Sequence, residues 1–296
     1  MTAAERGVLL LCTPLDAGEQ TLTMAQFREL SLRAQAQGAP EGELTRELRQ
    51  TDIRRLGYDE ADAARIVSLL APERERALSA YLQRAEQQNI VPLTRISAAY
   101  PTQLARRLRV SCPPVLYCSG EMLLLQRACI ALVGSRALTA RGRAFAEQVG
   151  RMCADEGFVL VSGGAEGADT AAQEACLATG GSVIVFTAGR LCDCKARERV
   201  LYVSESGWQL PFSVPRAMSR NRLIHAMGEK TLVAQTGFGS GGTWNGTLDN
   251  LRHDWSPVFV CDDGSAGAQA LIARGAEPTD LSQPLAQLSP RQQSLF

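Results

Sequence analysis

The sequence predicts a doubly wound α/β fold, a mostly parallel sheet with helices on both faces, accompanied by a small N-terminal helical domain. Three observations carry this expectation. From residue 128 onward, short apolar runs alternate with segments of helical periodicity. The runs are continuously apolar, as strands buried on both faces require, and do not alternate in the manner of a sheet wetted on one side. Residues 1–88 instead read as a succession of short amphipathic helices.

Taken in order, MAQFRELSLRAQAQ and GELTRELRQTDIRRLG place apolar residues at helical spacing, with Leu44, Leu48 and Ile53 on one face. DEADAARIVSLLAPERERALSAYLQRAEQQ continues the pattern, with Asp59 or Asp62 able to start a helix. This segment holds more acids than bases, which makes it a poor grip for phosphates. At about residue 89 the texture changes. NIVPLTRI and PPVLYCSG read as strands on either side of a helical QLARRL. Strand candidates follow at 128–134, 158–163, 182–187, 231–236 and 257–262. Between and after them lie the helical TARGRAFAEQVGRMCADE, ADTAAQEACLAT, SRNRLIHAMG, TLDNLRH and GAQALIARG. After residue 276 the chain turns polar and proline-punctuated, which reads as a flexible tail. The expected division is therefore 1–88, 89–276 and 277–296.

Composition narrows the function classes. With 45% hydrophobic and 21% charged residues the 296-residue chain is neither disordered nor a coiled coil. No uncharged apolar run reaches the roughly 18 residues of a membrane span, and the first residues lack the apolar core of a secretory signal. A cytoplasmic protein without a membrane partner is expected. The 31 basic and 31 acidic residues balance, so any polyanion must be held by a local patch. The bases are 29 arginines and 2 lysines, a bias that makes arginine abundance alone uninformative. Nine cysteines, several inside apolar runs, read as free buried thiols of a reducing compartment. Cys192 and Cys194 form an isolated C-x-C, but only two histidines accompany them and a tetrahedral zinc site needs four converging ligands. Neither metal nor cofactor is expected.

In an open α/β sheet, ligands bind where strand carboxyl ends meet helix N-termini. Four such loops have unusual chemistry. Gly134-Ser135-Arg136 leads to Thr139, and residues 136–143 contain three arginines and no acid. Glycine admits an anion to the backbone, the hydroxyls donate, and a guanidinium holds a phosphate through two parallel bonds. Ser162-Gly163-Gly164-Ala165-Glu166-Gly167-Ala168-Asp169 is a second glycine-rich turn. Neither matches a P-loop or a dinucleotide fingerprint. Residues 190–222 carry seven bases, including Arg190, Lys195, Arg216, Arg220 and Arg222, against three acids. A solvated helix face is expected around 195–206, whereas the last three arginines are expected to cluster just ahead of a helix. The fourth loop, from Gly237 to Thr243, includes Ser240, Gly241 and Gly242. Together the four predict an arginine-rimmed trough for a phosphodiester backbone or a nucleotide.

These segments resemble the DNA-processing protein A (Smf) family. The resemblance runs through ALVGSRALTARGRAFAEQV, FVLVSGGAEGADTAAQEACLATGG, SVIVFTAG and SVPRAMSRNRLIHAMGEKTLVAQTG, and through the lead-in from PLTRISAAYP. It covers about 90–262 and implies a Rossmann-like core that binds single-stranded DNA and hands it to the RecA recombinase, with pairing into a homodimer. Gly134, Ser135 and Arg136 then correspond to the family's Gly-Ser/Thr-Arg loop. Ser162, Gly163, Gly164, Gly167 and Asp169 correspond to its second glycine loop, and Arg216, Arg220, Asn221 and Arg222 to its Arg-Asn-Arg segment. The chain departs from the family at Glu166, where a base is usual, and in AGRLCDCKARERV, which lacks the usual Tyr-Pro. GGTWNGTLDNLRH is similar to a loop of the lysine-decarboxylase-like phosphoribohydrolases, with Asp249 near their catalytic glutamate. The shorter carboxylate at altered spacing argues against hydrolysis. Gln292-Gln293-Ser294-Leu295-Phe296 resembles the motif by which repair proteins dock on the DNA sliding clamp, with Gln292, Leu295 and Phe296 as its contacts.

The sequence thus predicts a non-enzymatic single-stranded DNA-binding protein in transformation, repair or defence. The alternative is a nucleotide sensor or hydrolase at the same loops. With 5% aromatic residues, Phe238 and Trp244 are the only stacking candidates near a strand end. Binding should therefore be dominated by backbone charge, with little sequence preference.

Overall fold

The structure, a computed structural model, describes residues 1–16, 18–38 and 49–290. The chain divides into two compact units. The first comprises residues 1–100, 108–118 and 205–208. Its helices are α1 (Ala3–Cys12), α2 (Met24–Ala36), α3 (Gln50–Arg55), α4 (Glu60–Leu69) and α5 (Pro72–Gln87). Thr2 and Thr23 begin α1 and α2 with capping boxes, and Asp59 caps α4 by accepting from the Asp62 amide at 2.8 Å. Leu9, Leu30, Ile53, Ile66 and Leu78 form the apolar interior, and Tyr81 meets the rings of Tyr117 and Trp208. The strands β1 (Val91–Thr94) and β2 (Val115–Gly120) pair as an antiparallel hairpin. The hairpin and residues 205–208 thus join the helices, a different partition from the expected break at residue 88.

The second unit, residues 101–107, 119–204 and 209–296, holds the parallel sheet. After α6 (Thr102–Leu108) its elements are β3 (Cys129–Val133), α7 (Ala140–Asp155), β4 (Val159–Ser162), α8 (Ala168–Ala178) and β5 (Ser182–Phe186). There follow β6 (Val200–Ser204), α9 (Val214–Met227), β7 (Lys230–Val233), α10 (Gly242–His253), β8 (Val258–Cys261), α11 (Ala266–Ile272) and β9 (Glu277–Thr279). The strand order β6-β5-β4-β3-β7-β8-β9 is parallel at every pairing, with Val133 in register with Val233. Ile130, Leu132, Leu160 and Val183 pack with Phe145, Val149 and Ala172 of α7 and α8. On the other face, a methyl on Gly228, just past α9, would overlap Ala131. Both faces of the sheet are therefore dry, as the unbroken apolar runs require.

From β3 the chain winds one way to β4, β5 and β6, then returns to β7 on the other side. The crevice at the carboxyl ends of β3 and β7 is thus the switch point of the sheet, where open α/β folds bind ligands.

Three expectations require correction. The solvated helix face around 195–206 is the strand β6: Val200, Leu201 and Val203 are buried, and continuity of the apolar run outweighs the flanking charges. Arg216, Arg220 and Arg222 lie within α9, which starts at Val214 because Ser213 caps it and Pro215 stands in its first turn. The expected tail from residue 277 begins instead as β9, and Leu281, Leu285 and Leu288 enter the core. There Lys230 donates to the Leu285 and Ala286 carbonyls, while Glu156 accepts from their amides at 2.8 and 2.9 Å. Gln292, Leu295 and Phe296 lie outside the described residues.

Candidate nucleic-acid interface

A cleft of about 430 Å³ opens at the switch point. Gly134, Ser135 and Arg136 form one wall, Ala165 and Asp169 a second, and Thr236, Gly237 and residues 240–243 a third. The α9 stripe Met218, Asn221 and His225 faces it. Three of the four sequence-predicted loops therefore share one cavity.

The first wall is set by its neighbours. Thr139 accepts from the Gly142 amide at 3.1 Å and so caps α7. Its own N–H and hydroxyl donate to Gln235 Oε1, at 2.8 and 3.0 Å. Gln235 also donates to the Ala137 carbonyl at 3.2 Å, and its carbonyl accepts from Ser135. Ser135 Oγ accepts from the Ala137 amide. Thr139 is thus a structural cap, and Gln235, which immediately follows an apolar run in the sequence, is the residue that ties the β3 and β7 loops together. Arg136 projects to solvent at the rim and makes no hydrogen bond or ion pair within the described residues.

The second wall is closed from below. Asp169 is 8% exposed and its Oδ2 accepts from the amides of Gly163 and Ala165, both at 3.1 Å. Arg220, also 8% exposed, donates to the carbonyls of Gly163 and Phe186. Burial raises the Asp169 carboxyl above its usual range, opposed by the Arg220 charge, the two amides and Arg136. This carboxylate occupies amides that the sequence reserved for a phosphate, and Arg220, which also lines the cleft, is a strut across strand ends. Gly163 separates the two groups, and a methyl there would overlap both. Gly167, at φ +90°, brings its Cα against the carbonyls of Ser135 and Arg136, which only glycine permits. Ser162 is buried and accepts from Gln173 at 2.6 Å, and Gly164 is exposed outside the cleft lining.

The third wall has open donors. Gly241 starts α10 at φ +95° and supplies no side-chain cap, so amides of the first turn face the cleft unsatisfied by side chains. Thr243 Oγ1 donates to the Gly134 carbonyl at 2.8 Å, and Asn221 donates to the Gly242 carbonyl at 3.1 Å, fixing this turn. Ser240, Gly241 and Gly242 complete the wall. Phe238 is 62% exposed and stands edge-on to Trp244, with ring centroids 5.4 Å apart. Trp244 itself is buried, which removes it as a stacking surface.

The remaining basic residues do not converge here. Arg216 donates to the Leu210 and Pro211 carbonyls, holding the lead-in to α9. Arg222 is half-buried, and neither it nor Arg216 lines the cleft. Arg190 and Lys195 are exposed on the loop after β5, also outside the lining. Arg199 donates to the carbonyls of Gly181 and Leu177, at the amino end of β5 and so at the opposite sheet edge. Of the expected ring of arginines, Arg136 and Arg220 line the cleft, Arg220 with its guanidinium on strand-end carbonyls, together with the α10 amides. No group of three or more potential metal ligands occurs among the described residues.

The family model described as DNA recombination-mediator protein A matches residues 92–288, two thirds of the chain. The chain belongs to that family. The DNA processing protein DprA of Streptococcus pneumoniae is 33% identical over 181 residues, which are 56% of this chain and 63% of that protein. The chain thus spans under two thirds of that relative's length. The pneumococcal DprA crystal structure superposes with a TM-score of 0.69 at 24% identity, covering 91% of this chain and 99% of that one. DNA processing protein A of Helicobacter pylori, described by its single-stranded DNA binding mode, gives 0.55 at 24% identity over 64% of this chain and 90% of that one. At these identities the two structures show a shared fold, the mediator-family fold with its mostly parallel sheet. No helix among the described residues is long and apolar enough to cross a membrane.

Proposed function

We propose that this chain is a single-stranded DNA-binding recombination mediator whose cleft receives the sugar–phosphate backbone. The observation that carries the reading is the uncapped N-terminus of α10 facing Arg136 across the switch-point cleft. Open helix amides and an unpaired guanidinium are a donor-only set suited to phosphate. Phe238, exposed on the same loop, offers a ring on which a base stacks. The family membership and the Helicobacter relative's described DNA binding support the same ligand. Transfer of the strand to a RecA-type recombinase, pairing of two copies, and docking of the 292–296 tail on a sliding clamp are further parts of this proposal.

We read the chain as a binding protein rather than an enzyme. Asp249, the nearest counterpart of a hydrolytic acid, is held by Arg252 at 2.8 Å, and no cleft wall includes it. The deciding experiment titrates a fluorescent oligonucleotide at two salt concentrations with free nucleotides as competitors. Micromolar or tighter binding that weakens with salt, and more weakly in Arg136→Ala, is expected, because each phosphate contact to a single strand contributes roughly 0.7 to the log–log salt slope. Indifference to DNA with saturable nucleotide binding would replace the proposal by a sensor. Deleting residues 292–296 should abolish clamp capture and leave DNA affinity intact.

A further inference from the structure

The loop that forms the third wall has a second side, outside the cleft. Thr243 Oγ1 donates to the Gly134 carbonyl and fixes the inner side of the first α10 turn. Trp244, the next residue, lies about 100° further round the helix, and neither it nor Phe238 lines the cleft. The Trp244 ring is buried and has two neighbours that are not. Phe238 stands edge-on to it with the planes at 68°, and the Arg274 guanidinium lies over it, each 5.4 Å from the ring centroid. The buried indole thus holds an exposed aromatic ring and an exposed cation side by side.

Arg274 is set on a fixed backbone just past α11. Gly275, at φ +102°, closes that helix, and the Ala276 amide donates to the Leu271 carbonyl at 3.1 Å. The guanidinium spends one donor on the Ala270 carbonyl, at 2.8 Å, and makes no ion pair among the described residues. The acids of the loop between β8 and α11 are engaged with their own surroundings. Asp262 Oδ1 accepts from the Gly264 amide and from Gln269, and Asp263 Oδ1 accepts from the Ser265 amide. Covering Trp244 accounts for the order of the Arg274 stem. It does not account for a cation with donors to spare, nor for a phenyl ring kept in water beside it in a loop otherwise made of glycine and serine. A base needs such a ring face, and a phosphate needs such a cation.

We propose that Phe238 and Arg274 form a second single-strand contact, outside the cleft. A strand with a phosphate on the α10 amides continues over the outer side of the loop, stacks a base on Phe238 and places a later phosphate on Arg274. This rests on the phosphate-binding reading above and adds the route by which the strand leaves the cleft. Stacking on a phenyl ring tolerates every base, so the contact adds affinity without sequence preference. It acts only on strands long enough to reach it. Once the cleft is occupied, the second contact forms within one complex and raises the affinity of longer strands.

The test uses the full chain and oligothymidylates of increasing length, from a trinucleotide upward, titrated at several salt concentrations. Phe238→Ala and Arg274→Gln should bind the trinucleotide like the wild type and bind long strands about fivefold more weakly, or worse. Arg274→Gln should also lower the long-strand salt slope by about 0.7, the share of one phosphate, which Arg274→Lys should retain and Phe238→Ala should not change. A role limited to covering Trp244 would lower the denaturation midpoint of Arg274→Gln and leave that slope intact. Arg136→Ala, in the cleft, should weaken binding at every length. Unchanged long-strand affinity in either Phe238→Ala or Arg274→Gln, or an equal loss at every length, would overturn the inference while a weakened Arg136→Ala keeps the cleft reading. A wild type that binds no oligonucleotide would remove both. If Arg274→Gln does not fold, the length dependence of Phe238→Ala decides.

Discussion

Replacing Arg220 by methionine separates a strut from a phosphate contact. In the structure the guanidinium reaches the carbonyls of Gly163 and Phe186, at the ends of β4 and β5, and its charge acts on the buried Asp169. Arg220→Met keeps the length of the side chain but leaves two carbonyls without that donor and Asp169 without its nearest cation. Removing one member of a buried charge pair costs about 3–5 kcal/mol. Asp169→Asn in the same background keeps an acceptor for one amide and removes the stranded charge, so the double variant should recover a large part of that loss. Chemical denaturation of the wild type, the two single variants and the double variant measures the coupling. If Arg220 were a phosphate contact, Arg220→Met would leave stability within about 0.5 kcal/mol and would lower only the salt slope of DNA binding. That outcome, or additive single effects, would refute the assignment.

Three further outcomes follow from the same geometry. Gly167→Ala places a methyl against the Ser135 carbonyl at a left-handed backbone angle, and should cost about 2 kcal/mol while weakening oligonucleotide binding as the two loops separate. His225 has its pKa pushed down by burial to about 3; the unfolded ring binds a proton that the folded one refuses. Its contribution is therefore present above about pH 6.5 and is lost toward about pH 3, on the order of 1 kcal/mol per pH unit, and the acid limb of the wild type should be steeper than that of His225→Gln. Lys230→Met removes the donor to the carbonyls of Leu285 and Ala286, and limited proteolysis should then cleave near residues 280–290 faster than in the wild type.

Much of the fold was legible because its cause is local. The five strand runs from 128 to 262 needed only their unbroken apolar character, and the α7 start was marked by Thr139. β6 was not legible, since Val200–Ser204 follow a dense run of charges, and its identity depends on pairing with β5. The leucines at 281, 285 and 288 looked like a tail because their partners, Glu156 and Lys230, are over 50 residues away in sequence. At the site, glycine loops and Arg136 could be read from composition at strand ends. What the sequence hid was which groups neutralise one another: Asp169 occupying its own loop's amides, and Arg216 and Arg220 spent on carbonyls. Such cancellation is decided by tertiary placement, which a charge count along the chain does not contain. Gln235 was missed for the same reason, since it acquires its role only through neighbours brought in by the sheet.

The most direct measurement is hydrogen–deuterium exchange with and without a saturating short oligothymidylate at low salt. Protection is expected to be confined to the peptides bearing Gly134–Thr139, Gly163–Asp169 and the α10 N-terminus around Ser240–Gly246, and to diminish in Arg136→Ala. Protection located instead on the 190–199 loop or on the helices of residues 1–88, with these three segments unchanged, would contradict it.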